Sequence, residues 1–292
     1  MTDTNTAQSF SDKWNNNPNL AFEETLREGS EIFNWILNRN GFADGNELRS
    51  FLATKKHILD AGCGNGRVTA LLQRYAPSEA ALTGIDLVSA DVATENLKNL
   101  SNVSVHQKDL LGDLSNLGTF DFIYSQEVLH HTKNPVEAFN NLVSILANGG
   151  EIAIYVYKIK APIREYTDDY IRNAIIGLPY DKAMDVCRKI TELSKTLSEL
   201  QVKVKTPAIE VLDLPEGEYD IQRFIYHFFM KCFWNNNLSF EENAAINYDW
   251  YHPQDCSRHS LEEIRKWFKD AGLKITHEFV DFYGITMRGT KA

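Results

Sequence analysis

Apolar positions along the chain fall into a regular sequence of helical and strand-like patterns. Residues 1 to about 20 are polar and asparagine-rich and are expected to form a mobile arm. From Phe22 the spacing is helical: Phe33, Ile36 and Leu37 share a face, and Gly41 supplies a C-terminal stop. The run HILDAG (57–62) then ends in a glycine-rich turn, after which Val68, Leu71, Leu72 and Tyr75 return at helical steps. ALTGIDL, VSVHQKDL and FDFIYSQEV read as the second, third and fourth strands. Asn134 is a natural N-cap, with Pro135 at the first helical position and Glu137 two further on. The helix it opens, bearing Phe139, Leu142, Val143 and Leu146, is expected to end at Gly149-Gly150, before a fifth strand, EIAIYVY. Strands alternating with helices predict a parallel sheet covered on both faces.

The alternation breaks near residue 160. No convincing strand pair is visible over 160–250, but two helical stripes are. One runs Val186, Ile190, Leu193, Leu197, Leu200; the bulkier one runs Ile221, Phe224, Ile225, Phe228, Phe229, Phe233. These predict a helical cap insertion packed over the mouth of the sheet, with a homodimer through the leucine stripe as the alternative. Regularity resumes at Ser260, which with Glu263 reads as a capping box ahead of Leu261, Ile264, Trp267 and Phe268, with Gly272 closing the helix. LKITHEFVDF and GITMRGT suit an antiparallel finish. The expected organisation is an N-terminal arm and helix (1–45), an α/β core (46–159), the helical insertion (160–250) and the C-terminal part of the core (251–292). The expected fold is a doubly wound, seven-stranded, mostly parallel sheet with an antiparallel last strand.

Composition narrows the function. The chain has 292 residues and a formal net charge of −10, which disfavours general affinity for nucleic acid or an anionic membrane. The start is polar and no segment approaches the ~18 apolar residues of a membrane span. Four dispersed cysteines without a CxxC pair argue against a zinc site or a disulfide framework. A cytoplasmic protein is expected, and no metal.

The candidate chemistry centres on DAGCGNGR (60–67). A strand, a glycine-rich turn and a helix bring backbone N–H groups to one spot, and glycine lets a ligand press against the main chain. Asp86 follows twenty residues after Gly66, the interval of a carboxylate that accepts from both ribose hydroxyls. An adenosine-bearing cofactor is predicted. Asp60 beside the turn repels a pyrophosphate but suits an ammonium group, which favours S-adenosylmethionine over a dinucleotide. The alternative is that Asp60 simply caps the turn.

LDAGCGNGR, GIDL, QKDLL, FDFIYSQEVLHH and LANGGEIAIYVY, in this order, resemble the motifs of class I S-adenosylmethionine-dependent methyltransferases, over roughly 55–157 and again over 260–290. The resemblance implies a Rossmann-like core. It implies that Asp60, Gly62, Gly64 and Gly66 shape the methionine side of the pocket, that Asp86 holds the ribose, and that Leu87 lies against the adenine. It further implies that Asp109 accepts from the exocyclic amine, that Leu110 packs beside the ring, and that Ser125 and Gln126 present main-chain groups to the methionine. Asp109 as an ordinary strand-end carboxylate is the alternative.

For the acceptor side, Glu127, His130 and His131 lie just past the fourth strand, where a general base is wanted, although one histidine is expected to be structural. The cluster YDWYHPQDCSRHS (248–260) holds Trp250, Tyr251, His252, Arg258 and His259 and reads as a substrate lid or as filling between insertion and core. His252 is a further candidate base and Arg258 an anchor for an anionic group, with Tyr157, Tyr166 and Tyr283 as wall residues. The segment loosely resembles methyltransferases of polysaccharide or natural-product pathways. A small-molecule acceptor is the leading expectation. Methylation of tRNA or protein, an NAD-dependent oxidoreductase and a cofactor-binding regulator without catalysis are the alternatives.

Overall fold

The computed structural model describes residues 5–292. They form two compact units, one of residues 18–158 with 257–292, the other of residues up to 17 with 159–256.

The first unit is built on a seven-stranded sheet. Its strands are β1 (His57–Ala61), β2 (Ala81–Asp86), β3 (Val103–Gln107), β4 (Phe120–Gln126), β5 (Leu146–Tyr157), β6 (Leu273–Val280) and β7 (Gly284–Lys291). Their spatial order is β3-β2-β1-β4-β5-β7-β6. The first five pair in parallel, whereas β7 runs antiparallel to both β5 and β6. This is the expected doubly wound sheet with its antiparallel last strand.

Two-residue periodicity sorts the side chains. Ile58 and Phe122 face one way with Leu71, Leu37 and Phe33, and Leu59 and Ile123 face the other with Phe139, Trp267 and Phe268. Each fully buried Leu, Ile or Phe contributes about 1.5–3 kcal/mol. Asn134 accepts from the Glu137 N–H at 3.2 Å, as its N-cap position requires. That helix stops at Ser144, and β5 begins at Leu146, so the Gly149-Gly150 pair expected to end the helix lies within the strand. At the last helix Ser260 accepts from the Glu263 N–H, but the Glu263 carboxylate turns to His259 Nδ1 at 2.9 Å instead of closing a capping box.

In the second unit, helices Asn5–Asn16, Pro162–Ile175, Tyr180–Glu199, Ile221–Phe228 and Phe240–Tyr251 are accompanied by a two-stranded ribbon, Lys203–Thr206 with Gly217–Asp220. The ribbon corrects the expectation of no strand pair over 160–250. KVKT and GEYD are four residues each and mostly polar, too short and too hydrophilic to show an apolar alternation. The expected mobile arm is also corrected where it is described, since residues 5–16 are helical; residues 1–4 of that expectation lie outside the described residues. Lys13 pairs with Asp249 at 2.7 Å, Thr6 donates to Asp255 at 2.8 Å and Ser9 meets His252 at 2.8 Å. These polar anchors lie about 240 residues away in sequence, beyond the reach of any local pattern.

Asp168 organises this unit. Its Oδ2 accepts from Arg164 Nε at 3.1 Å and Trp250 Nε1 at 2.9 Å, and its Oδ1 from the Lys231 N–H at 2.7 Å and Tyr251 OH at 2.8 Å. Arg164 and Asp168 are each 1% exposed, so both charges are out of water and depend on one another. Asp168→Ala is expected to cost about 3–5 kcal/mol in urea unfolding, because the guanidinium is left buried without its carboxylate. A loss under about 1 kcal/mol contradicts this assignment.

Candidate active site

The turn after β1 is held in a shape that only glycine tolerates. Gly62, Gly64 and Gly66 have φ of 83°, 56° and 86°, in the left-handed region. A Cβ on Gly62 would stand 2.3 Å from Val128 Cγ2. Three of the turn's N–H groups are satisfied from β2, Gly62 and Cys63 donating to the Ile85 carbonyl at 2.7 and 2.9 Å and Gly64 to Asp86 Oδ2 at 3.0 Å, while Gly66 donates back to the Cys63 carbonyl at 2.8 Å.

None of these three N–H groups donates to Asp60. Asp60 accepts from Thr69 Oγ1 at 2.6 Å and is 3% exposed. Burial lifts its carboxyl to about 6, against the pull of the Thr69 hydroxyl and of Arg67. The rise from 3.8 to about 6 means that holding this group ionised costs roughly 3 kcal/mol relative to the unfolded chain. A bound cation offsets such a cost; a pyrophosphate adds to it. Cys63 is buried, and burial followed by Asp86 and Asp60 raises its thiol well above the ordinary range, which leaves it a packing residue.

The remaining expected cofactor residues stand at the carboxyl ends of β2, β3 and β4. Asp86 Oδ1 accepts from the Val88 and Ser89 N–H groups, both at 3.0 Å, while among the described residues Oδ2 has only the Gly64 N–H and retains a lone pair. Leu87 is 40% exposed, an apolar surface that a base can cover. Asp109 Oδ1 accepts from the Leu111 N–H at 2.9 Å, and Leu110 is buried. The Ser125 hydroxyl is committed to the Ala61 carbonyl at 3.0 Å, which leaves its main chain as the part available. Gln126 Oε1 accepts from Tyr124 OH, and its buried Nε2 has no acceptor among the described residues. Positive-φ glycines, a desolvated carboxylate and an orphaned amide together fit an amino-acid-tailed nucleoside.

At the acceptor side, Glu127 has φ 61°, a strained conformation for a non-glycine residue, and its carboxylate lies 3.7 Å from Arg67. The His130 and His131 rings are 4.3 Å apart, with the Tyr157 ring 3.7 Å from His130 and 5.5 Å from His131. Ser257 N–H donates to the His130 carbonyl and His259 N–H to the Tyr157 carbonyl, so Arg258 is threaded beside both. Tyr283 lies near Arg39, its ring 5.2 Å from the guanidinium carbon.

The structure places five further expected residues as follows. His252 has both ring nitrogens engaged, Nδ1 with Ser9 and Tyr248 at 2.8 Å and Nε2 with the Leu178 carbonyl at 2.9 Å, so it is a joint of the helical unit and not a base. His259 likewise spans Ser257 Oγ and Glu263 at 2.9 Å and packs edge-on against Trp267. The polar atoms of Trp250 and Tyr251 are committed to Asp168. Tyr166 is 76% exposed on its helix and walls nothing. Two contributors escaped sequence reasoning: Thr69, which holds Asp60, and Asn65, whose amide donates to the Pro18 and Leu20 carbonyls and straps the incoming chain to the turn.

A doubly wound sheet whose first turn combines these features defines a nucleoside-cofactor-binding α/β protein. Residues 36–278 match the methyltransferase-domain family, and the chain belongs to it. The methyl donor of that family is S-adenosyl-L-methionine. Over 226 residues the chain is 39% identical to an uncharacterized protein of Synechococcus; the alignment covers 75% of this chain but 47% of that relative. It is 23% identical over 191 residues to a ubiquinone biosynthesis O-methyltransferase of Coxiella burnetii, covering 61% of this chain and 76% of the relative. Among solved structures, the CurJ carbon methyltransferase shares the fold with a TM-score of 0.50 at 12% identity, over 92% of this chain and 57% of that one.

Gly62→Ala combines an unfavourable φ with the Val128 contact and is expected to destabilise by about 2–4 kcal/mol. Gly29 has φ 81° but nothing within 4 Å of where a Cβ would stand, so Gly29→Ala should cost only the backbone part, about 1–2 kcal/mol. Equal losses in urea unfolding would show that the turn is not tightly packed.

Proposed function

We propose that the chain transfers the methyl group of S-adenosylmethionine to an oxygen, nitrogen or carbon atom of a small-molecule acceptor. The observation that carries this reading is the desolvated Asp60 carboxylate next to a turn of three positive-φ glycines. When bound, the cofactor supplies an electrophilic methyl on a sulfonium, open to in-line displacement. The chain's own residues supply position and charge. Asp60 faces the ammonium, Asp86 accepts from the ribose hydroxyls, and Leu87 and Leu110 enclose the adenine. Asp109 accepts from its exocyclic amine, and the main chain at Ser125 and Gln126 meets the methionine.

Glu127, His130 and His131 are the groups placed to orient an acceptor and take its proton. Holding the nucleophile in line with the methyl carbon supplies most of what such a transfer needs. The O-methyltransferase relative favours an oxygen acceptor, and the net charge of −10 counts against RNA.

Calorimetry with the demethylated cofactor, S-adenosylhomocysteine, is expected to show binding, and with NAD none. Asp86→Ala removes hydrogen bonds to a charged acceptor worth about 1.5–3 kcal/mol and should weaken S-adenosylhomocysteine roughly 10- to 150-fold. Full affinity in that variant contradicts the ribose assignment. Labelled methyl from S-adenosylmethionine should appear in a small molecule of a metabolite extract; a protein that binds the cofactor but never labels an acceptor is a binder and not an enzyme.

A further inference from the structure

A hydrogen-bond relay in the sheet unit ends on an amide that has no acceptor among the described residues. Asn40 closes the helix Glu31–Arg39 and is 3% exposed. Its Nδ2 donates to the Ile36 carbonyl at 2.9 Å and to Tyr124 OH at 3.1 Å. The Ile36 carbonyl can only accept, which fixes the Asn40 amide in this orientation. Tyr124 OH, having accepted from Asn40, gives its single hydrogen to Gln126 Oε1. Burial pushes the Tyr124 phenol well above its ordinary range, so that hydrogen stays in place at neutral pH. Gln126 is thereby held by its oxygen. Its buried Nε2, on the other side of the carboxamide, is the orphan.

This amide stands at the same strand ends as Asp60. Tyr124 pairs in register with Asp60 on β1, and Gln126 lies two residues further along β4, so Asp60, Tyr124 and Gln126 share one face. Ser125 Oγ ties the end of β4 to the Ala61 carbonyl, just before the glycine turn. The neighbouring cation is already shared out: Arg67 Nη1 donates to Thr25 Oγ1 at 2.8 Å, and its Nη2 lies 3.7 Å from the Glu127 carboxylate. The face therefore offers one acceptor, Asp60, and one donor, Gln126 Nε2, on adjacent strands. An amino-acid head group carries the complement of each, an ammonium and a carboxylate on one carbon. A buried donor left without an acceptor is destabilising, and a ligand oxygen placed against it recovers that loss.

We propose that the Gln126 side-chain amide donates to the carboxylate of the amino-acid tail of S-adenosylmethionine, with Tyr124 and Asn40 as positioning residues that keep its N–H groups turned to the ligand. The proposal rests on the methyl-transfer reading and extends it from the Gln126 main chain to the side chain. Asp60 and Gln126 then recognise the two ends of one zwitterion, each through a charge-assisted hydrogen bond. The site selects an intact amino-acid tail over one that lacks its carboxylate, because only the intact tail supplies the missing acceptor.

The test compares S-adenosylhomocysteine with S-adenosyl-3-thiopropylamine, the same molecule without its carboxylate, by calorimetry on the full chain. The unmodified chain should bind S-adenosylhomocysteine at least about tenfold more tightly. Gln126→Glu keeps the size of the side chain and an oxygen for Tyr124, but replaces the donor by a second oxygen. It should weaken S-adenosylhomocysteine at least about tenfold and leave the analogue bound no less tightly than before. Tyr124→Phe frees the carboxamide to turn and should weaken S-adenosylhomocysteine about two- to tenfold, again sparing the analogue. Analogue affinity in each variant reports that the site is folded. Equal weakening of both ligands in both variants, or unchanged S-adenosylhomocysteine affinity in Gln126→Glu, overturns the proposal and leaves the cofactor reading standing. Unchanged affinity in Tyr124→Phe overturns the positioning role. Absence of S-adenosylhomocysteine binding by the unmodified chain overturns both the proposal and the methyl-transfer reading.

Discussion

A carboxylate held away from water beside a turn of left-handed glycines is the constraint on which the site depends. Asp60 ends up there because β1 is buried on both faces and because three N–H groups of the turn that follows are satisfied by β2, not by Asp60. The Thr69 hydroxyl is a weak substitute for solvent, so the carboxyl rises to about 6 and the folded chain carries the charge at a cost. With a folded value above the unfolded one, Asp60 favours the fold at low pH, and this support is lost as pH rises through about 6. A group that opposes folding at neutral pH is relieved by a cation that binds beside it.

The two units satisfy their polar groups differently. In the sheet unit the backbone ladder and two apolar layers supply cohesion, and polar side chains appear where strands end. In the helical unit a buried carboxylate gathers an arginine, a tryptophan, a tyrosine and a backbone amide from segments up to 83 residues apart. A network of that kind loses much if one member is removed, and it fixes geometry at the same time. In this way Asp168 holds both the Trp250 indole and the Arg164 guanidinium, 5.2 Å from that ring.

Legibility from the sequence follows the range of the interactions. The β1 turn was readable because glycine spacing is a local backbone requirement, and all three glycines do occupy positive φ. The mostly parallel sheet was readable because strands alternate with helices from β1 to β5. The helix Asn5–Asn16 was not, because its anchors are single polar atoms near residue 250. The same limit applies to His252: a histidine among aromatics looks reactive in sequence, and only the partners at both ring nitrogens show it engaged within the helical unit. Thr69 gave no signal at all, since a threonine in the first turn of a helix is ordinary until its hydroxyl is seen on Asp60.

The central claim is that Asp60 receives the cationic tail of the cofactor. It is tested most directly by proton release on binding S-adenosylhomocysteine at pH 6, measured by calorimetry in buffers of different ionisation enthalpy. With its carboxyl at about 6 in the free protein and lowered by the bound ammonium, Asp60 should release about half a proton per site, and Asp60→Asn should abolish that release. The same proton count in both proteins would contradict the account.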